Sequence, residues 1–340
     1  MASRVFVLGS VNIDDVYRVE DIVRPGQTIA STSKHLFPGG KGANQSVAAA
    51  QAHPGLIYHV GAIGTDGQWV ADLMAQRNVN VEFLTVLPDI STGRAIIQLS
   101  AAGENAIVLH AGANATLSPI ALATVFSRMT PTDYVLLQNE VSHGPELLLR
   151  ARASGANVAF NPAPCSTTLR EQFDLHAVDV LVVNEGEAVE LAHGLPTATA
   201  NTTTDEAVER LAAVMTAFPQ IAIGIVTLGP RGAAVVTRST SGLHVDHVAS
   251  LAIKPVDTTG AGDTCVGFLV GGLARRGVRV RSAMETDVVS YVAPPMAETV
   301  RREVLDCVRA ATAAAAMACE GHGAMASIPT YDAVIVRMQS

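Results

Sequence analysis

The feature that most constrains this chain is a recurring spacing. Short aliphatic and β-branched runs, RVFVLG (4–9), LIYHVGAIG (56–64), YVLLQ (134–138), NVAFN (157–161), VDVLVVN (178–184) and IAIGIVTLG (221–229), are separated by intervals long enough for a helix. The intervals carry helical patterns: NQSVAAAQA, WVADLMAQRN, PELLLRARASG, GEAVELAHG and DEAVERLAAVMTAF, the last with Asp205 placed to cap it. Strands that are apolar throughout must be covered on both faces. The alternation therefore predicts an α/β fold with a doubly wound, mostly parallel sheet, helices on both sides, and ligands beyond the carboxyl ends of the strands. No long linker or repeat divides the 340 residues, which are read as one domain. GRAIIQLSAAGENAIVLHAG (93–112) carries a hairpin signal and TIASTSKHLFPGG (28–40) alternates loosely; with 12–20 they predict a small antiparallel lid. TATANTTTDEA (197–207) reads as a polar loop. Pro294-Pro295 excludes one continuous helix over 282–300, which reads as an excursion from the body.

Charge narrows the partners. Lys plus Arg number 23 against 31 Asp plus Glu, with no basic run longer than Arg275-Arg276 or Arg301-Arg302, so nucleic acid and anionic membrane are disfavoured and a small molecule is expected. The apolar run at the N-terminus, Val5 to Gly9, meets Asp14 and Asp15 too soon for a signal peptide, and AATAAAAMA (310–318) is too short to span a bilayer and reads as a helix pressed on a sheet. Cys165, Cys265, Cys307 and Cys319 have no paired spacing and are expected to be reduced, intracellular thiols. Asn114 and Asn201 then carry no glycan.

Two glycine-rich loops carry the chemistry. In VDTTGAGDTCVGFLVGGLA (256–274), Gly260, Ala261 and Gly262 bring backbone N–H groups to the start of a helix, where the dipole favours an anion such as phosphate. Asp263 stands in the same place. It reads either as an N-cap or as a base beside a transferring phosphoryl group. FPGGKGANQSVAAAQA (37–52) is a second such turn, with Lys41 and Asn44 as polar contacts; His35 and Gly42 exclude a Walker A loop, and a dinucleotide fingerprint is missing.

GSVNIDD (9–15), PGGKGANQ (38–45), NPAP (161–164), NEGE (184–187), TLGPRG (227–232) and DTTGAGD (257–263), in this order, resemble the PfkB family of sugar kinases from about residue 4 to residue 330. The resemblance implies transfer of the γ-phosphate of ATP to the 5-hydroxyl of D-ribose. Another sugar or nucleoside acceptor, or a sugar-binding regulator without catalysis, are the alternatives. It implies a sugar site of Asn12, Asp14, Gly40, Lys41, Gly42, Ala43, Asn44, Glu140 and Asp263, with Asp263 as base and the amides of Gly260, Ala261 and Gly262 as anion hole. ATP would be held by Asn184, Thr227, Leu228, Gly229, Pro230, Arg231, Gly232, Gly262, Asp263 and Thr312, the last standing where many relatives place a histidine near adenine. Mg²⁺ would lie near Asn184 and Glu187. K⁺ would lie near Asp257, Thr259, Ala318, Gly321, Gly323 and Ser327. The resemblance also implies a homodimer formed through the lid, which would exclude water from the sugar.

Overall fold

A computed structural model describes residues 2–196, 205–281 and 291–339. The strands are β1 (Val5–Leu8), β2 (Asn12–Arg18), β3 (Ser33–Gly39), β4 (Ile57–Gly64), β5 (Val79–Leu87), β6 (Gly93–Leu99), β7 (Asn105–His110), β8 (Tyr134–Leu137), β9 (Asn157–Phe160), β10 (Val180–Asn184), β11 (Ile223–Thr227), β12 (Ala233–Ser239) and β13 (Gly242–Val248). The helices are α1 (Lys41–Ala52), α2 (Gln68–Gln76), α3 (Ala123–Ser127), α4 (Gly144–Ala153), α5 (Leu169–Gln172), α6 (Glu185–Leu191), α7 (Glu206–Ala217), α8 (Ala261–Arg276), α9 (Glu298–Ala318) and α10 (Tyr331–Gln339).

Nine strands form one sheet in the order β13-β12-β11-β10-β9-β8-β1-β4-β5. It is parallel from β11 to β5, and β12 and β13 add an antiparallel edge. Side chains of a strand alternate between faces, and here both faces are buried. Val5 and Val7 of β1 enter a core with α1, α2, α8 and α9, whereas Phe6 and Leu8 enter a second core with α4, α6 and α7. That two-sided burial is why the strands read as unbroken apolar runs. At the start of α7, Asp205 accepts from the Ala207 amide at 3.1 Å, as its N-cap position requires.

The lid is a four-stranded sheet in the order β3-β2-β6-β7. Its outer pairings are antiparallel, and the central β2–β6 pairing is parallel. Arg94 of β6 binds Asp15 of β2 at 2.7 Å and Asp66, in the turn after β4, at 2.8 Å, so one guanidinium joins lid to body. Among the described residues no helix is long and apolar enough to cross a membrane.

One expectation is corrected. Residues 282–290, like 197–204, lie outside the described residues, but 291–297 are no excursion: Tyr291 and Ala293 are buried, the Ala293 amide donates to Pro219 O at 2.9 Å, and the Met296 amide to Arg238 O at 2.8 Å. Hydrophobicity and two backbone bonds hold this stretch against the sheet, and Pro294-Pro295 sits just ahead of α9.

Helices α1 and α8 cross at the closest approach that backbone allows. A Cβ on Gly267 would lie 2.3 Å from Gln45 O and 2.5 Å from Ala48 Cβ, and one on Gly271 would lie 2.6 Å from Ala49 O. On an open helix surface Gly→Ala stabilises by up to about 1 kcal/mol. At this crossing, overpacking reverses the sign: Gly267→Ala is expected to destabilise by about 1–3 kcal/mol. Gly272→Ala, whose Cβ would meet only Cys307, with Sγ nearest at 3.3 Å, serves as the control, with both compared by urea unfolding.

Candidate active site

The sheet order reverses between β1 and β8. From β1 the chain builds outward through β4 and β5, and from β8 it builds the other way through β9, β10 and β11. A crevice opens where such a sheet divides, at the carboxyl ends. Ser10 follows β1, Gln138 and Glu140 follow β8, Asn161 follows β9, and Asn184 and Thr227 end β10 and β11. Over this row stand the N-termini of α1 and α8.

The two helix starts differ in what their amides do. In α1 the Lys41 amide donates to Glu140 Oε2 (3.2 Å), Gly42 to Ser10 Oγ (3.3 Å), Ala43 to Ser10 O (2.9 Å) and Asn44 to Gly40 O (3.0 Å). Backbone lies on backbone here, since a Cβ on Gly42 would come 2.5 Å from the Gly9 carbonyl carbon. Gly42 and Ala43 are therefore buried structural residues with their amides engaged, and of the expected sugar loop it is Lys41 and Asn44 that offer side-chain polar groups. In α8, Gly260 takes a left-handed turn (φ 76°), and a Cβ there would meet Ala324 Cβ at 2.5 Å. The Ala261 amide is engaged with Thr258 O at 3.2 Å. Among the described residues, the amides of Gly260, Gly262 and Asp263 have no acceptor, so the open anion cradle is theirs and not Ala261's.

Asp263 makes no cap. Its Oδ2 accepts from Asn44 Nδ2 at 3.0 Å and its Oδ1 from Gln45 Nε2 at 3.0 Å, so both oxygens are turned toward α1. Asn44 Oδ1 is buried without a partner, an acceptor in want of a donor. Ser10 Oγ donates to Glu140 Oε2 at 2.6 Å. Asn12 Oδ1 accepts from Asn114 Nδ2 at 2.8 Å, and Asn114, which is 2% exposed, also binds both polar groups of Val11. The Asp14 carboxyl lies against Gly39, where a Cβ would come within 2.2 Å of it. Burial pushes this carboxyl up to about 7, with the charges of Glu140, Asp263 and Asp15 adding to the effect. Burial acts to lower the Lys41 ammonium, but Asp263, Glu140 and Glu187 outweigh it and hold Lys41 above the usual lysine value.

Asn184 and Glu187 form a capping box at the start of α6. The Glu187 amide donates to Asn184 Oδ1 at 2.8 Å, and the Asn184 amide to Glu187 Oε2 at 2.9 Å. Burial raises the Glu187 carboxyl. Both residues also line a cavity of about 140 Å³ with Lys41, Thr227, Gly262 and Asp263. Thr227 and Gly262 are shared with a larger, mostly apolar cavity of about 370 Å³, whose walls include Gly229, Pro230, Gly232, Leu251, Ile253 and Thr312. A small polar chamber thus opens into a wide apolar slot. The Thr312 hydroxyl proton is shared within its helix between Val308 O and Arg309 O, both at 3.0 Å, so toward the slot this side chain can only accept. Two members of the 227–232 loop are placed elsewhere than expected. Leu228 is buried in the core, and Arg231 pairs with Asp205 and Glu185. The attraction of two carboxylates holds that guanidinium outside both cavities.

Asp257 accepts from the Thr259 amide and the Gly323 amide, each at 2.9 Å. Burial would raise its carboxyl, but these bonds outweigh it and hold it below the ordinary value. Cys319 O takes the Val256 and Asp257 amides, and Ala318 O takes that of Gly321 at 3.2 Å, so the 318–323 turn is laced to the loop before α8. Ser327 Oγ donates to Ala324 O at 3.2 Å. Among the described residues no cluster of three His, Cys, Asp or Glu could cage a metal.

Sequence reasoning missed Ser10, Gln45, Gln138, Asn161 and the 250–255 wall of the slot. Gln45 and Asn161 stood inside quoted motifs, and a neutral amide inside a motif carries no separate signal. Gln138 lay at the end of a strand run.

A model of the pfkB family of carbohydrate kinases matches residues 2–331. The ribokinase of Staphylococcus aureus (strain COL) is 29% identical over 344 residues, covering 98% of this chain and 99% of that protein. The crystal structure of ribokinase from Cryptococcus neoformans var. grubii serotype A in complex with ADP is 33% identical with a TM-score of 0.77, covering 99% of this chain and 100% of that one. Ribokinase from Arabidopsis thaliana, complexed with ribose and ATP, shares the fold with a TM-score of 0.76 at 24% identity, over 100% of both chains.

The raised Asp14 carboxyl sets a sign for stability. The unfolded chain loses this proton near 3.8, and the folded chain keeps it until about 7. Between those values the native state binds more protons, so stability falls as pH rises through the window. Asp14→Asn is expected to match the wild type near pH 4 and to be the more stable protein at pH 8, as read by urea unfolding at both pH values.

Proposed function

The chain belongs to the pfkB family of carbohydrate kinases, and on that premise we propose that it transfers the γ-phosphoryl group of ATP to the 5-hydroxyl of D-ribose, giving D-ribose 5-phosphate. The observation that carries the reading is the join of two features at one point: unsatisfied amides at the start of α8, and the Asp263 carboxylate on the same turn. The first suits a phosphoryl group and the second a hydroxyl proton. Ribose is the acceptor that the named relatives suggest.

In this reading Asp14, Asn44 and Glu140 bind the sugar hydroxyls. Asn44 Oδ1 gains the donor it lacks, and Asp14, protonated below about 7, offers a donor of its own. Asp263 takes the proton of the 5-hydroxyl as its oxygen attacks the γ-phosphorus, ADP leaves, and the Gly260 and Gly262 amides with Lys41 meet the charge on the transferred group. The apolar slot suits the flat base of the nucleotide, and the polar chamber its phosphates. Four unpaired cysteines fit a reducing interior, where ATP is at hand.

The donor set fits the two cations differently. The capping box spends Asn184 Oδ1 and one Glu187 oxygen, leaving the other Glu187 oxygen for a weakly held, water-rich ion that arrives with the nucleotide. Mg²⁺ would supply charge neutralisation at the phosphates. Around Asp257 the donors are all oxygen, from a carboxylate, turn carbonyls and the Ser327 hydroxyl, which suits K⁺. Its charge would brace the loop before α8.

Coupled ADP release is the test. The wild type is expected to turn over with ribose in preference to deoxyribose, fructose or adenosine. Asp263→Asn should lose about 10²–10⁴-fold in kcat. Replacing K⁺ by Na⁺ should slow the wild type and leave Asp257→Ala unaffected. Turnover with fructose or adenosine alone would reassign the acceptor, and turnover with none would make the chain a sugar sensor.

Lid strands β3, β6 and β7 expose Leu36, Phe37, Ile96, Ile107, Val108 and Leu109, with Val108 63% and Leu109 60% accessible. An apolar patch of this kind on a sheet edge calls for a partner. A homodimer through the lid is the reading, and Val108→Asp is expected to shift sedimentation from dimer to monomer.

A further inference from the structure

Beneath the proposed base lies a row of buried amides that no part of the reaction above employs. Gln45 is fully buried, with Gln138 1% and Asn161 6% exposed. Asn161 Nδ2 donates to Val182 O of β10 at 3.0 Å. Gln45 Nε2 donates to Asn161 Oδ1 and to Asp263 Oδ1, both at 3.0 Å, and Gln45 Oε1 accepts from Gln138 Nε2 at 2.7 Å.

The direction of this row is fixed at one end. A main-chain carbonyl only accepts, so Val182 O obliges Asn161 to turn its Nδ2 toward β10 and its Oδ1 toward α1. That oxygen in turn obliges Gln45 to present Nε2, and one Nε2 serves both Asn161 and Asp263. Gln138 completes the set by donating to the oxygen left over. No member can flip without placing two donors or two acceptors face to face among buried side chains, which costs about 1–3 kcal/mol per unmet group.

We infer that Gln45 is a positioning residue for the phosphoryl-transfer step: locked in direction by Asn161 and Gln138, it delivers a fixed N–H to Asp263 Oδ1 and keeps the carboxylate aimed at the acceptor hydroxyl. Asn44 does the same for Oδ2 at 3.0 Å, but Asn44 also lies in the sugar site, whereas Gln45 lies behind it. Each Asp263 oxygen thus receives one amide N–H, which fixes the plane of the carboxylate. The inference rests on the ribose-kinase reading and deepens it. The charged groups around Asp263 are Lys41 of α1, Asp14 of β2, Glu140 after β8 and Glu187 of α6, and all remain in the variants below.

The test is a pair of pH–rate profiles for Gln45→Glu and Gln45→Leu against the wild type, with ribose and MgATP, after thermal unfolding shows each variant folded. In Gln45→Glu the new carboxyl can donate to Asp263 only while it holds a proton. Its kcat is expected to fall at high pH, where the wild type keeps its rate, and to recover toward the wild-type value as pH is lowered. Gln45→Leu is expected to lose about 10²-fold in kcat at every pH with KM for ribose changed less than threefold. A wild type without ribose turnover overturns the ribose-kinase reading on which the inference rests. A turning-over wild type with a parallel Gln45→Glu profile, or with Gln45→Leu within threefold in kcat, overturns the positioning role. Gln45→Glu keeps the side chain's volume, so the profile stays readable even if Gln45→Leu does not fold.

Discussion

The crossing of α1 and α8 is the constraint on which the rest depends. Each helix starts at one side of the crevice, and the proposed chemistry needs groups from both within hydrogen-bond reach. Asn44 and Gln45 reach Asp263 at 3.0 Å because the axes come together over Gly267 and Gly271, against Ala48 and Ala49. Larger residues at those positions would move the helices apart along their length, and a shift of about 1 Å is enough to break such bonds. The small-residue character of GANQSVAAA and of VGFLVGG thus has its explanation in catalytic geometry as much as in packing.

Given that crossing, the two helix starts divide their labour by what the neighbouring loops supply. Ser10 and Glu140 come from the strands on either side of the switch point, and they take up the first-turn amides of α1. That leaves α1 to offer side chains to the site. The loop before α8 is pinned by Asp257, whose carboxylate is occupied with Thr259 and Gly323 amides just ahead of the helix, and three amides of the turn stay open. A rigid turn with unsatisfied donors needs no rearrangement when an anion arrives, which is what makes such a cradle effective.

Much of this was legible in the sequence, and the parts that were not share a cause. All six expected strand runs are strands, each shared between two apolar layers, and the glycine loops open α1 and α8. Local pattern sufficed there. The edge hairpin β12–β13 and the parallel β2–β6 pairing could not be read, because pairing partners are a matter of topology and not of period. Among site residues, Lys41 lies with Glu140, Asn44 with Asp263, and Lys41, Asn184 and Asp263 around one cavity. Gly42 and Ala43 were expected in the sugar site and the Ala261 amide in the anion hole, but all three amides are used internally, a fact decided by Ser10 and Thr258. Arg231 was drawn off by Asp205 and Glu185 on other elements. Gln45, Gln138 and Asn161 acquire meaning only as a connected row, and connection is what a linear reading lacks.

Charge balance carries the last step. Glu140, Asp263 and Glu187 act on one ammonium, Lys41, and Asp14 stands near two of them, so the crevice is poor in positive charge for a triphosphate. The deficit is reduced where it is easiest to do so: burial keeps Asp14 neutral up to about 7, and the open amides of α8 add partial positive charge without an ionisable group. In the proposed reading the remainder would come in with the nucleotide, and the capping box would then need only one spare carboxylate oxygen. Its two residues already have a structural task in starting α6, and a fuller metal cage would raise the negative charge against which the phosphates would have to bind.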